Sequence, residues 1–246
     1  MTIHAVTVVR DEADIISTTV EHLLAEGVDR VWVLDHCSTD TTPALLGDLA
    51  ATHPDRVWVD RDDEPGHHQA NRITTLAMQA RAAGAEWVIP FDADELWYTP
   101  GSTLAEFFTD CRYDSVQCVG FDHICRDLTG GTVETITYRR PYPQQIPKVA
   151  FRPSARNYVD EGNHHVSQPG RVGSGLELRH FQYRSFDQMR RKVRQGARAA
   201  DEAGQHPMYA AHWRNLATLS DDELEVEWMT LCATDDLIHD PAPVSR

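Results

Sequence analysis

Positive charge is scarce in this chain: 23 Lys and Arg stand against 38 Asp and Glu in 246 residues, a formal charge of −15. A surface of that sign repels a phosphate backbone, so nucleic acid is not expected as a partner. A small anion held locally by a metal or an Arg cluster is still allowed. No apolar run approaches the roughly 20 residues of a membrane span. The opening "MTIHAVTVVRDE" has no basic region ahead of a long apolar core, so neither a membrane span nor a signal peptide is expected. The five Cys are an odd number without a CxxC, which fits free thiols in a reducing cytoplasm better than a disulfide framework. Internal repeats and low-complexity segments are also missing. What remains, 41 % hydrophobic and 25 % charged, is an ordinary globular composition, long enough for one large domain.

The first hundred residues alternate between two periodicities. "IHAVTVV" (3–9), "RVWVLD" (30–35), "RVWVD" (56–60) and "EWVIPFD" (86–92) are short β-branched or aromatic runs and read as strands. Between them, 13–27, 42–54 and 67–84 carry apolar residues at helical spacing, with Thr42 expected as a cap and Pro43 in a first turn. Strand–helix alternation of this kind predicts a mainly parallel, Rossmann-like sheet with helices on both faces. After residue 110, "DSVQCVGF", "GTVETITYRR" and "IPKVAFRP" read as strands joined by polar turns, with Gly130-Gly131 suiting a hairpin. From Ser185 the pattern is helical again, over 186–204 and 219–238, and the tail "DPAPVSR" is expected to fray.

In an open parallel sheet, ligands collect beyond the carboxyl ends of the strands. All four early strands end in acid: Asp11-Glu12 after Arg10, Asp35, the run "DRDDEPG", and "FDADEL", with Asp92, Asp94 and Glu95 in four positions. Acids so dense in an acidic protein repel one another unless a cation joins them. A hard ion, Mn²⁺ or Mg²⁺, takes carboxylate and phosphate oxygens and meets that need.

The order "VVRDEADII", "VWVLDHCSTDTTPALL", "WVIPFDADEL" resembles the family 2 type of nucleotide-sugar glycosyltransferase with the GT-A fold. That family commonly ends its first strand in Asn-Glu, where this chain has Asp11-Glu12. Its second motif, Asp-x-x-Ser-x-Asp-x-Thr, is matched at Asp35, Ser38, Asp40 and Thr42. "EGNHHV" and "LRHFQYRSFDQMRRKV" resemble a bacterial branch with a DxDE motif. The resemblance implies an α/β fold of GT-A type with a small mixed β region and C-terminal helices. It divides one compact domain into a nucleotide-sugar-binding half (1–110), an acceptor side (111–184) and a helical segment (185–246). It implies a metal-dependent, inverting transfer of a sugar from a nucleoside diphosphate sugar to a hydroxyl of a small molecule or glycan. Arg10, Glu12, Asp35, Arg72, Asp92 and Lys192 would hold the nucleotide and diphosphate, with Arg184 also near the diphosphate. Asp92, Asp94 and His180 would hold Mn²⁺ or Mg²⁺. Asp160 or Glu161 would be the base, with His164 and His165 orienting donor or acceptor and Asp122 and His123 in reserve. Two other readings stay open: a sugar nucleotidyltransferase, although the first loop lacks Gly, and a nucleotide-sugar binding module without catalysis. A phosphatase of the haloacid dehalogenase type would carry its DxD after the first strand rather than the fourth.

Overall fold

The computed structural model describes residues 1–64, 66, 68–206 and 210–242. Its first part runs β1 (Ile3–Val9), α1 (Ile16–Ala25), β2 (Arg30–His36), α2 (Thr42–Thr52), β3 (Val57–Asp62), α3 (Gln69–Ala82) and β4 (Trp87–Pro90). These are the elements that periodicity predicts, with ends shifted by a few residues. His67, expected in α3, and residues 243–246 of the tail lie outside the described residues. The chain continues with β5 (Glu95–Tyr98), α4 (Leu104–Asp110), β6 (Ser115–Asp122), β7 (Tyr138–Arg139), β8 (Lys148–Phe151), a single 3₁₀ turn (Glu161–Asn163) and β9 (Val172–His180). It closes with α5 (Phe186–Glu202), α6 (Ala211–Ala217), α7 (Asp221–Cys232) and β10 (Ile238–His239).

Eight strands form one sheet in the order β3-β2-β1-β4-β8-β6-β9-β5. β1 to β4 are mutually parallel, β8 runs against both β4 and β6, β6 is parallel to β9, and β5 runs against β9. The consequence is geometric. The carboxyl ends of β1, β4, β6 and β9 share one edge with the amino ends of β8 and β5. Lys148 and Glu95, the first residues of their strands, therefore arrive beside Asp92, Asp122 and His180.

Alternation along the strands supplies both faces. Ile3, Ala5 and Val9 pack with Val31, Val33, Trp87 and Ile89 against α1 and α2. Val6 and Val88 pack against Ile73, Leu76, Ala77 and Ala80 of α3 on the other side. Each fully buried Val or Ile among them contributes about 1.5–3 kcal/mol. Helix α5 is capped by Ser185, whose hydroxyl accepts from Gln188 N, and it buries Met189, Val193 and Ala197 at a spacing of four. Gly196 interrupts it for a packing reason. A Cβ there would stand 2.3 Å from Trp213 Cε3, so only a bare backbone lets α6 dock.

Two local expectations differ from the structure. Thr41, not Thr42, occupies the N-cap position of α2, because the Thr42 hydroxyl is engaged elsewhere. Residues 131–140 are not a strand of a hairpin: Ile136 N donates to Thr132 O (2.9 Å), which makes a turn. That turn buries Val133 and Ile136, and only Tyr138–Arg139 pairs, with β10 and, at one isolated bridge, with His123.

Candidate active site

The loop after β1 is strained and braced. Asp11 has φ 53°, in the left-handed region. Asp11 N donates to Ser38 Oγ (2.9 Å), Glu12 N to Thr42 Oγ1 (3.0 Å) and Ala13 N to Asp40 Oδ2 (3.3 Å). In return Asp11 Oδ1 accepts from Thr39 N (2.6 Å) and Asp40 N (3.1 Å). The Ser-x-Asp-x-Thr spacing after β2 is thus a bracket for the first loop. The Thr39 hydroxyl (3.3 Å) and Gln195 of α5, 2.7 Å from Asp11 Oδ2, add two more donors, and these hydrogen bonds outweigh burial and hold the Asp11 carboxyl below its usual range.

Beyond the strand ends lies a cavity of about 550 Å³, a size that accommodates a small-molecule ligand. Its lining includes Arg10, Glu12, Asp92, Asp94, His180 and Lys192. The acids of "FDADEL" do find cations there, and the cations are the protein's own. Asp92 Oδ2 lies 2.6 Å from Lys148 Nζ, and its Oδ1 accepts from Gln69 Nε2 and Asn163 Nδ2, both at 3.0 Å. Glu95 is fully buried. Its Oε1 lies 2.9 Å from Lys148 Nζ, and its Oε2 accepts from Asp92 N (3.1 Å) and Trp97 Nε1 (3.3 Å). Burial raises the Glu95 carboxyl even so, whereas its two acidic neighbours outweigh burial at Lys148 and keep that side chain an ammonium.

Asp94 turns the other way. Its Oδ2 lies 2.5 Å from Lys192 Nζ, 3.7 Å from His180 Nε2 and 3.9 Å from Arg184 Nη1. Burial alone would raise Asp94, but Lys192, His180 and Arg184 hold it well below the carboxylate range. Burial would lower His180; Asp94 and Asp122, the latter 2.8 Å from Nδ1, raise it instead. Lys192 also meets Glu12 Oε1 at 3.0 Å, and Arg184 joins Glu12 Oε2 (2.6 Å) to Asp14 (2.7 Å). One chain of alternating charge therefore ties the first loop, the fourth strand end, β9 and α5 together.

The expected ion shell of Asp92, Asp94 and His180 does not match this arrangement. Asp92 and Asp94 face different ammonium groups, and on Asp94 the place an ion would take at Oδ2 is covered by Lys192. Among the described residues no group of three or more His, Cys, Asp or Glu side chains is placed to hold a metal. The residues present therefore do not fit Mn²⁺ or Mg²⁺ as they stand.

The other expected residues divide. Arg10, Glu12, Arg72, Glu161, His164 and Lys192 line the cavity, but Asp35 and Asp160 do not. Arg72 is occupied with bracing: it donates to Asp62 Oδ2 (2.6 Å), Gly66 O (2.6 Å) and Glu64 O (2.8 Å), which leaves little of its fork for a phosphate. Asp35 is buried against Arg61 (2.8 Å), and its Oδ1 has no hydrogen-bond partner among the described residues. Asp160 is exposed at the start of the 3₁₀ turn. Of the reserves, Asp122 lines the cavity, while His123 is buried with Nε2 3.0 Å from Asp240 O. Arg184 is almost wholly buried behind Asp94 rather than in the cavity wall. Sequence reading missed Lys148, Gln144, Asn163 and Arg191. Lys148 had a signal, since a lone Lys in the apolar run "KVAF" must find an anion if the strand is buried.

Solved structures resemble the chain in outline. Staphylococcus aureus TarS 1-349 in complex with UDP is 16 % identical over 93 % of this chain and 71 % of its own, with a TM-score of 0.48. A mannosyltransferase from Pyrobaculum calidifontis, PcManGT, solved with GDP-Man and Mn²⁺, is 18 % identical over 93 % and 73 %, with a TM-score of 0.49. No curated protein matches the sequence. The family model described as glycosyl transferase family 2 matches residues 5–214, and the chain therefore belongs to glycosyl transferase family 2 and is a glycosyltransferase.

Proposed function

We propose that the protein moves a sugar from a nucleoside diphosphate sugar to a hydroxyl of a small molecule or glycan, with inversion at the anomeric carbon. The observation that carries this reading is the composition of one cavity wall. Arg10, Arg191 and Lys192 offer positive charge for a diphosphate, and Glu161 and His164 share a turn in the same wall. Asp35, with an unused buried oxygen, is the proposed contact for the base or ribose, reached when the half-exposed Arg61 side chain moves aside.

His164 is the proposed proton acceptor. Its Nδ1 lies 3.1 Å from Pro147 O, and a carbonyl can only accept, so Nδ1 carries the proton and Nε2 the lone pair. Burial and then Lys148 lower its pKa, so the ring is neutral at pH 7. The acceptor oxygen attacks the anomeric carbon on the face away from the diphosphate, and its proton passes to His164 Nε2. The bond from that carbon to the β-phosphate oxygen breaks with its electron pair on the phosphate. Fixed charges aimed at the leaving group act without reorganisation, which makes such stabilisation large.

Thermal shift against UDP-, GDP- and dTDP-linked sugars tests the donor assignment, because a ligand of the native state alone must raise Tm. A rise with at least one donor is expected. No rise with any of them, up to millimolar concentration, removes the donor reading.

A further inference from the structure

We propose that Lys192, with Arg10 and Arg191, supplies to the donor's diphosphate the positive charge that a divalent ion would otherwise bring, so that donor binding needs no metal. This rests on the donor reading above. Three independent features lead to it.

The first is occupancy. The Lys192 ammonium sits 2.5 Å from Asp94 Oδ2, with His180 Nε2 at 3.7 Å and Arg184 Nη1 at 3.9 Å. A hard ion bound to that oxygen would stand about 2.1 Å from it. It would then press against Lys192 and Arg184, which Glu12 anchors in place at 3.0 and 2.6 Å. The second is saturation of the other carboxylate. Asp92 accepts two side-chain amides on Oδ1 and Lys148 on Oδ2, so it is already satisfied.

The third is spare donors. An ammonium has three N–H groups. Lys192 directs two at Glu12 and Asp94, and a third is left in a side chain that lines the cavity. Arg191, its neighbour on α5, makes one hydrogen bond, to Asp11 O at 3.2 Å, and no ion pair with a described residue. Arg10, at the end of β1, makes no hydrogen bond or ion pair with a described residue, and its Nε is buried without a partner. Three cationic groups on two elements thus reach one cavity with N–H groups unused. Asp94 and Glu12 then have a different task from ligating an ion. They aim the Lys192 side chain, whose flexible stem would otherwise cost entropy to fix.

Titration calorimetry of UDP and GDP into the purified chain tests this, once in EDTA and once in 1 mM Mn²⁺, with Mn²⁺ alone as a third titrant. At least one nucleoside diphosphate is expected to bind in EDTA with a Kd within about threefold of that in Mn²⁺, and Mn²⁺ alone to give no saturable binding. Arg191→Gln, on the cavity wall and outside the buried network, is expected to weaken binding about 10- to 100-fold at an unchanged Tm. Lys192→Met is expected to weaken it at least as much in EDTA and to let Mn²⁺ restore part of it, because Asp94 is then uncovered. If Lys192→Met fails to fold, Arg10→Gln takes its place for the loss of binding in EDTA, with no rescue by Mn²⁺ expected because Lys192 still covers Asp94 Oδ2. Binding that disappears in EDTA and returns with Mn²⁺ in the native chain overturns the inference and leaves the donor reading standing. The absence of binding in both conditions overturns both.

Discussion

Replacing Lys148 by Met keeps most of its volume and removes the charge that neutralises two acids. Lys148 Nζ is 2.6 Å from Asp92 and 2.9 Å from Glu95, with side-chain exposures of 7 %, 29 % and 1 % in that order. Asp92 can turn to water, but Glu95 cannot. Removing one partner of such a buried pair costs about 3–5 kcal/mol, which for a chain of this size lowers Tm by roughly 6–20 °C. The sign of the pH dependence follows from Glu95. Burial already raises its carboxyl in the folded state, and loss of Lys148 raises it further. The folded variant then holds a proton that the unfolded chain releases, so its stability falls as pH climbs above the usual carboxylate range. The deficit against the native protein should therefore be larger at pH 8 than at pH 5. Adding Glu95→Gln removes the orphaned charge and keeps acceptors for Asp92 N and Trp97 Nε1. It should recover at least about half of the loss, since the pair itself is weak evidence of net stability. Urea denaturation of the three proteins at both pH values is the assay. A single variant as stable as the native chain at pH 8, or a double variant no better than the single, would refute the assignment of Lys148 as the countercharge.

Other consequences follow from particular contacts. His164→Gln should lower turnover about 10²- to 10⁴-fold with donor binding retained. In the native enzyme the acid limb of the rate profile should fall below the usual imidazole range, because burial and Lys148 depress that pKa; a limb above it would speak against His164. Ser38→Ala leaves Asp11 N without its 2.9 Å acceptor and should cost about 1–3 kcal/mol in chemical denaturation. Gly196→Ala puts a methyl 2.3 Å from the Trp213 ring, and a change in tryptophan emission without loss of β-sheet circular dichroism is expected as α6 lifts.

The parallel half of the sheet was legible because its information is local. β1 and β4 are β-branched or aromatic runs in which buried side chains point both ways, β2 alternates half-buried with buried residues, and acids mark their ends. β5 was hidden because "ELWY" is four residues long and follows the acidic turn directly. β9 was hidden because "VGSGLELRH" carries two glycines and pairs with strands far away in sequence. The site followed the same rule. The acids were visible as a cluster, but their cations come from 56 and 98 positions further along, so local spacing pointed to an ion where the fold supplies Lys148 and Lys192. The motif after β2 was legible as a family motif without a task for Ser38, Asp40 and Thr42, and the fold supplies one: they accept hydrogen bonds from three backbone N–H groups of the first loop and brace it.

The most direct measurement is release of nucleoside diphosphate from UDP- and GDP-sugars, by chromatography, for the native chain and for Asp94→Asn. The native chain should release diphosphate from at least one donor, faster when an acceptor hydroxyl compound is supplied. Asp94→Asn keeps the shape of the side chain and loses the charge that aims Lys192 at the cavity, and it should fall roughly 10²-fold or more. A native chain that cleaves no donor, or an Asp94→Asn variant that turns over at the native rate, would contradict the assignment of this cavity as the transfer site.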